Sequence, residues 1–408
     1  MENSFKQVKQ RIGSVDLLRG LVMVIMLLDH TREFVHADAF LFNPTDLSKT
    51  NIALFFTRWI TDFCAPTFVF LAGISIYLQR IRGKNTKELA KFLLTRGIWL
   101  IVVEFTIVRF AVFFNLDYSF LGVAEVIWIF GVSMIVMAGL IYFPVRVVGG
   151  LGLVMIALHN LLDRMNPAMT SPGTSPSGSQ ALWIFLHQPG MVPIFGGLTK
   201  VFVAYPLIPW IGVMAAGYAL GSIYSWGAER RRKWLLTLGM IASVVFVILR
   251  AINAYGDPAP WSGQSSAVFT FLSFLNTTKY PVSLLFLLMT LGPSLLVLGA
   301  LDGNRSDRDG VIAKILITYG HVPLFYFILQ MFVAHIAGIV LGFLNGQDTG
   351  FLFTNFPFAE NVRAPAGFGF SLPVVYTAWI TGVVLLYPLC LWYGNLKRRS
   401  GHWLFSYL

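Results

Sequence analysis

Long apolar runs separated by short polar, mostly basic loops pattern this chain from its first residues to its last. Ten such runs are read at 15–36, 52–79, 89–112, 122–143, 146–163, 204–224, 233–252, 278–300, 315–343 and 371–394. A run of 18 or more apolar residues is long enough to cross a bilayer as a helix. The second and ninth runs are long enough to tilt or to carry an interfacial turn. A membrane β-barrel alternates apolar and polar residues in segments of about ten, and the runs do not. The pattern therefore predicts an all-α, polytopic transmembrane helical bundle of about ten spanning helices. It reads as one domain over 1–408, with an extracytoplasmic loop at 164–203.

Composition agrees. Of 408 residues 56% are hydrophobic and 12% charged, and the mean hydropathy is +0.70, whereas soluble domains carry about 25% charged residues. The net charge of +11 is no nucleic-acid signature. The basic residues fall in the loops, at Lys6, Lys9 and Arg11, Arg80 to Lys87, Arg146, Arg230 to Lys233, Arg305 to Lys314, and Lys397 to Arg399. With ten spans these share one side, and the positive-inside rule places both termini in the cytoplasm. Cys64 and Cys390 lie in apolar runs and form no disulfide framework. No cleavable leader is read in the first run, which is expected to be retained.

The first run bears the most informative chemistry. Arg19 and His30 are eleven residues apart, so on a helix they share nearly one face and stand about 16 Å apart along the axis. Ionisable groups inside a membrane are costly and mark function. Arg19 suits an anionic ligand through its planar fork, and Asp16 three residues earlier can pair with it; a structural ion pair that anchors topology fits the same two residues. His30 is a candidate general base, lying toward the far side. Adjacent helical residues do not face each other, so Asp29 is not its orienting carboxylate and is placed among the substrate-binding candidates. The orienting group is expected from Asp62 in the second run, where Pro66 frees the carbonyl of residue 62 and Gly73 permits close packing. His36 is a rival base. An interfacial histidine satisfied by water and a purely architectural kink are the plainer readings.

Tyr205-Pro-Leu-Ile-Pro-Trp-Ile-Gly-Val-Met214 opens the sixth run, and Gly217 and Gly221 form a small-xxx-small packing face. Glu104, Arg109, Glu125, Arg250, His321 and His335 are further polar groups in or near spans; His321 is a substrate-binding candidate. No cluster has metal-ligand spacing, and no P-loop, dinucleotide fingerprint or nucleophile elbow occurs. Far-side loops at 164–203, 253–277 and 344–370, rich in Gly, Pro and aromatics, either cover a site or fill space.

Four blocks resemble the heparan-α-glucosaminide N-acetyltransferase-like family of transmembrane acyltransferases: Ser14-Val-Asp-Leu-Leu-Arg-Gly20, then Asp62 with Pro66 and Phe68-Val-Phe70, then the distinctive Tyr205 to Met214 block, then Val322-Pro-Leu-Phe-Tyr326. A wider membrane acyltransferase superfamily shares the Arg19 to His30 spacing. Animal lysosomal members have Asn where this chain has His30, and their active His follows in a Phe-x-His-Ala string resembling Phe34-Val-His-Ala37. Either His30 or His36 is thus the base. The resemblance implies about ten or eleven helices, cytoplasmic acyl-CoA (acetyl-CoA) as co-substrate without a metal, and a sugar or glycan acceptor outside. His30 would take the acceptor's proton, and an acyl-histidine route stays open. The expected location is a bacterial inner (plasma) membrane, with lipid as surroundings, no nucleic-acid partner, and homodimer formation left open. The rival function is a polar-solute transporter or flippase of the cell envelope; a non-catalytic envelope-assembly partner is a third.

Overall fold

A computed structural model describes residues 13–165, 175–302, 310–359 and 362–400. Lys6, Lys9, Arg11, Arg305, Arg308 and part of the Ser171 to Ser179 stretch lie outside the described residues.

In chain order the elements are α1 (Gly13–Val35), α2 (Ile52–Thr61), α3 (Cys64–Ile81), α4 (Thr86–Val103), a π-turn (Glu104–Val108), α5 (Arg109–Phe113) and β1 (Phe120–Ala124). Then come α6 (Val126–Leu140), α7 (Val145–Leu158), a 3₁₀ turn (His159–Met165), α8 (Gly178–Leu186), β2 (Gly190–Ile194), β3 (Thr199–Val203) and α9 (Leu207–Leu220). The remainder is helical: α10 (Ala228–Ile252), α11 (Ala267–Leu275), α12 (Leu284–Leu301), α13 (Val311–His321), α14 (Pro323–Leu344) and α15 (Leu372–Ser400).

The protein is mostly helical, and seven helices among the described residues are long and apolar enough to cross a membrane: Ile52–Ile81, Val145–Met165, Leu207–Ser225, Ala228–Ile252, Leu284–Leu301, Pro323–Leu344 and Leu372–Ser400. Val126–Leu140 and Val311–His321 are apolar but shorter. Where about ten spans were expected, length and composition together select these seven. The helix α1 has the length but also carries Asp16, Arg19, Asp29, Arg32 and Glu33.

The chemistry of the breaks is local. The ninth expected span is two helices because Val322 precedes a proline, which disfavours the α region; Val322 takes φ −130°, ψ 51°, and Pro323 starts α14, where its missing N–H costs nothing. The second span breaks at residues 62–63, and Pro66 sits in the first turn of α3 for the same reason. Residues 122–124, expected to open the fourth span, belong instead to the strand Phe120–Ala124. Gly122 has φ +129°, and Ala204 and Tyr205 both donate to the carbonyl of Ala124. The sheet runs in the order β1–β3–β2, with β2 and β3 antiparallel from Gly190 opposite Val203 to Ile194 opposite Thr199. At α4 Asn85 and Glu88 form a capping box, which satisfies two orphan N–H groups at the helix start.

The chain divides into two compact units. The first comprises 1–15, 65–104 and 122–307. Its helices pack as pairs, α10 with α12, α7 with α9, and α4 with α6. The small-residue face expected on α9 meets α3: a Cβ on Gly217 would stand 2.2 Å from the carbonyl oxygen of Phe70, and one on Gly73 2.1 Å from that of Met214. The second unit comprises 16–64, 105–121 and 308–408. There α15 packs on α13 and α14, and α5 on α14. Leu28 and Val35 of α1 pack with Val375 and Trp379 of α15, and the indole N–H of Trp379 donates to the carbonyl of Val24. This second unit holds every residue singled out above as a candidate catalytic or substrate-binding group.

Candidate active site

Two polar clusters lie along α1. At its start, Arg19 Nη1 donates to Asp16 Oδ1 at 3.0 Å and to the carbonyl of Gly320 at 3.1 Å. The other oxygen of Asp16 meets His321 Nε2 at 3.3 Å. Asp16, Arg19 and His321, three separate sequence candidates, thus form one group. Two glycines make this possible. A Cβ on Gly20 would stand 1.8 Å from the carbonyl oxygen of Leu316, and one on Gly320 2.1 Å from that of Asp16. Any side chain there would force α1 and α13 apart and carry Arg19 away from the end of α13. Arg19 and His321 keep 16% and 27% side-chain exposure.

The second cluster gathers around Asp29. Its carboxylate accepts from Arg32 at 3.0 Å and, through the other oxygen, from Arg58 of α2 at 3.1 Å. Arg58 also donates to Thr61 Oγ1 at 3.0 Å and pairs with Asp62 at 3.1 Å. Asp62, expected as the orienting group of His30, pairs with Arg58. Glu33 brings a carboxylate to His30, with Oε2 3.2 Å from Nδ1, while its other oxygen is 3.6 Å from Arg32. The ring of His30 stands edge-on to Phe327 of α14 at 6.3 Å. Arg19 and His30 thus both meet the α13–α14 segment.

The two candidate bases differ in their hydrogen bonds. Nδ1 of His30 faces the Glu33 carboxylate, which only accepts, so in the neutral ring that nitrogen carries the proton. Nδ1 of His36 accepts from the backbone N–H of Asp38 at 3.1 Å, which leaves the proton on Nε2. The neutral rings therefore differ in tautomer, Nδ1–H in His30 and Nε2–H in His36. His36 is buried just past α1, bridged to Phe370. Burial, with Arg32 adding to it, pulls its pKa below the ordinary 6.5 against the opposing effect of Asp38, so it is neutral at pH 7.

The remaining polar candidates do architectural work. His335 stacks between Phe34 and Phe114, with ring centroids at 4.5 and 4.1 Å, and its Nδ1 meets the carbonyl of Ala111. The guanidinium of Arg109 donates to the carbonyls of Asn115 and Asp117 and to the side chain of Asn355. In the first unit, Glu104 accepts from the backbone N–H of Trp128. Arg250 donates to the carbonyls of Ala259, Ser273, Phe274 and Asn276 and so ties down the loop after α10. Among the described residues no group of three His, Cys, Asp or Glu side chains is placed to hold a metal ion.

Sequence reading passed over Arg32, Glu33, Arg58, Gly20 and Gly320. Glu33 is three residues from His30 and Arg58 four before Asp62, spacings that put each pair on one helical face; the two glycines carry no such signal.

Seven helices among the described residues that are long and apolar enough to cross a bilayer define an integral membrane protein. The family model for heparan-alpha-glucosaminide N-acetyltransferase, catalytic, matches residues 11–251. The chain belongs to this family, a family of membrane acetyltransferases. A search of the curated proteins gives no match.

Proposed function

We propose that this protein transfers an acyl group, acetyl in the first instance, from cytoplasmic acyl-CoA to a sugar or glycan acceptor on the far side of a bacterial inner membrane. The observation that carries the reading is the pair of clusters on α1: a guanidinium held beside an imidazole at one end, and about 16 Å further along a histidine whose tautomer suits a base.

The donor's phosphates lie against Arg19 and His321, with Asp16 holding the guanidinium in place. The thioester is presented at His30. Nε2 of His30 takes the proton from the acceptor hydroxyl or amine as its oxygen or nitrogen attacks the thioester carbon. The new C–O or C–N bond forms, the C–S bond breaks, and the thiolate leaves with a proton returned by the imidazolium. Glu33 stabilises that imidazolium, and the Asp29–Arg58–Asp62 network holds α2 against α1. The Nε2–H of His36 is a donor suited to the oxyanion of the tetrahedral intermediate.

The test uses the purified full chain in nanodiscs with radiolabelled acetyl-CoA and a panel of amino and neutral sugars. Acetylated sugar in wild type, its loss in His30→Ala, and unchanged melting of that variant support the reading. Absence of acetyl-CoA binding, with solute flux in proteoliposomes, replaces it by a transporter.

A further inference from the structure

Gln330 on α14 is wholly buried, and among the described residues neither its amide nitrogen nor its amide oxygen has a hydrogen-bond partner. One turn earlier on the same side of the helix, Tyr326 is equally buried and its hydroxyl has none either. Buried polar groups are nearly always paired, so a donor–acceptor carboxamide and a phenol left unmade one turn apart ask for a polar ligand. The place is informative. Phe327, between them in sequence, meets His30, and His335 meets Phe34, so this stretch of α14 runs beside the His30 end of α1. Tyr326 and Gln330 also follow His321 by five and nine residues. They lie beyond the cluster assigned to the donor's phosphates, on the stretch of α14 that reaches the base assigned to its thioester.

We infer that Gln330, assisted by Tyr326, is a positioning residue that hydrogen-bonds an amide of the acyl-CoA pantetheine arm and so holds the thioester at His30. This rests on the acyltransferase reading above. An arm linking the two clusters carries two amides past Val22, Met23 and Leu27 of α1, all buried and apolar. Amides buried without partners cost free energy, and Gln330 has both groups an amide needs. The same chemistry would suit the N-acetyl group of a sugar, and the experiment separates the two.

The full chain in nanodiscs is titrated calorimetrically with CoA and with adenosine 3′,5′-bisphosphate, which lacks the arm, in wild type, Gln330→Met and Tyr326→Phe. Gln330→Met is expected to weaken CoA roughly tenfold, the loss of about one ligand hydrogen bond, and to leave the bisphosphate unchanged; Tyr326→Phe weakens CoA by a smaller factor. Without ligand Gln330→Met melts higher than wild type, because an apolar isostere removes two unmet polar groups. Unchanged CoA affinity, an equal loss for both ligands, or a Gln330→Met protein that melts lower or does not fold overturns the assignment. A wild type that fails to bind CoA removes the acyltransferase reading as well. Unchanged CoA affinity with weakened binding of N-acetylglucosamine moves Gln330 to the acceptor.

Discussion

Glu33 Oε2 lies 3.2 Å from Nδ1 of His30, one turn along the same helix. In a neutral ring this relationship places the imidazole proton on Nδ1. Replacing His30 by Ala should lower transfer by about 10²–10⁴-fold, the usual contribution of a positioned base. Glu33→Gln keeps the ring but offers Nδ1 an amide of either polarity, so kcat should fall by less, with KM for the donor little changed. Steady-state kinetics on both variants check this, and equal activity in Glu33→Gln would remove Glu33 from the scheme.

Arg58 holds two buried carboxylates, Asp29 and Asp62. Arg58→Ala leaves both without that cation, and breaking a buried pair costs about 3–5 kcal/mol. The expected outcome is a large drop in melting temperature and in yield of folded protein. A melting curve like that of wild type would show that solvent already satisfies the cluster.

Gly20 and Gly320 set the approach of α1 to α13. Gly20→Ala puts a methyl where the backbone carbonyl of Leu316 stands, and overpacking of this kind costs about 1–3 kcal/mol. Because Arg19 reaches Gly320 across the same contact, acetyl-CoA affinity should fall together with stability. Arg19→Lys, by contrast, should weaken the donor without lowering the melting temperature. Thermal shift with and without acetyl-CoA separates the two effects.

His36 is neutral when folded, because burial holds its pKa below 6.5. The unfolded chain then binds more protons than the folded one as pH falls below about 6.5, and stability rises with pH through that window. His36→Asn abolishes the linkage. The melting-temperature gap between wild type and the variant should be widest near pH 7.5 and narrow as pH drops below 6.5; a gap constant over that range would assign the acid sensitivity to another group.

The helical, membrane-embedded class of this protein follows from runs of apolar residues, which need no partner to be read: a segment that long and that apolar is satisfied in lipid only with its backbone hydrogen bonds made internally. The break at Val322, next to Pro323, is equally local. Arg19, Asp16 and His30 could be chosen because charge in an apolar run is expensive wherever it falls.

What the sequence by itself determined, then, is the helical membrane class, its long apolar segments, and the short list of ionisable residues that such a setting must explain. Tertiary structure decided the partners. That Asp62 turns to Arg58 and Glu33 to His30, that His321 joins Asp16 across three hundred residues of chain, and that Gln330 is buried unmet depend on helix rotation and on approach distances of a few ångströms. Those are set by packing of whole faces and by glycines such as Gly20, whose meaning exists only once another backbone is beside it.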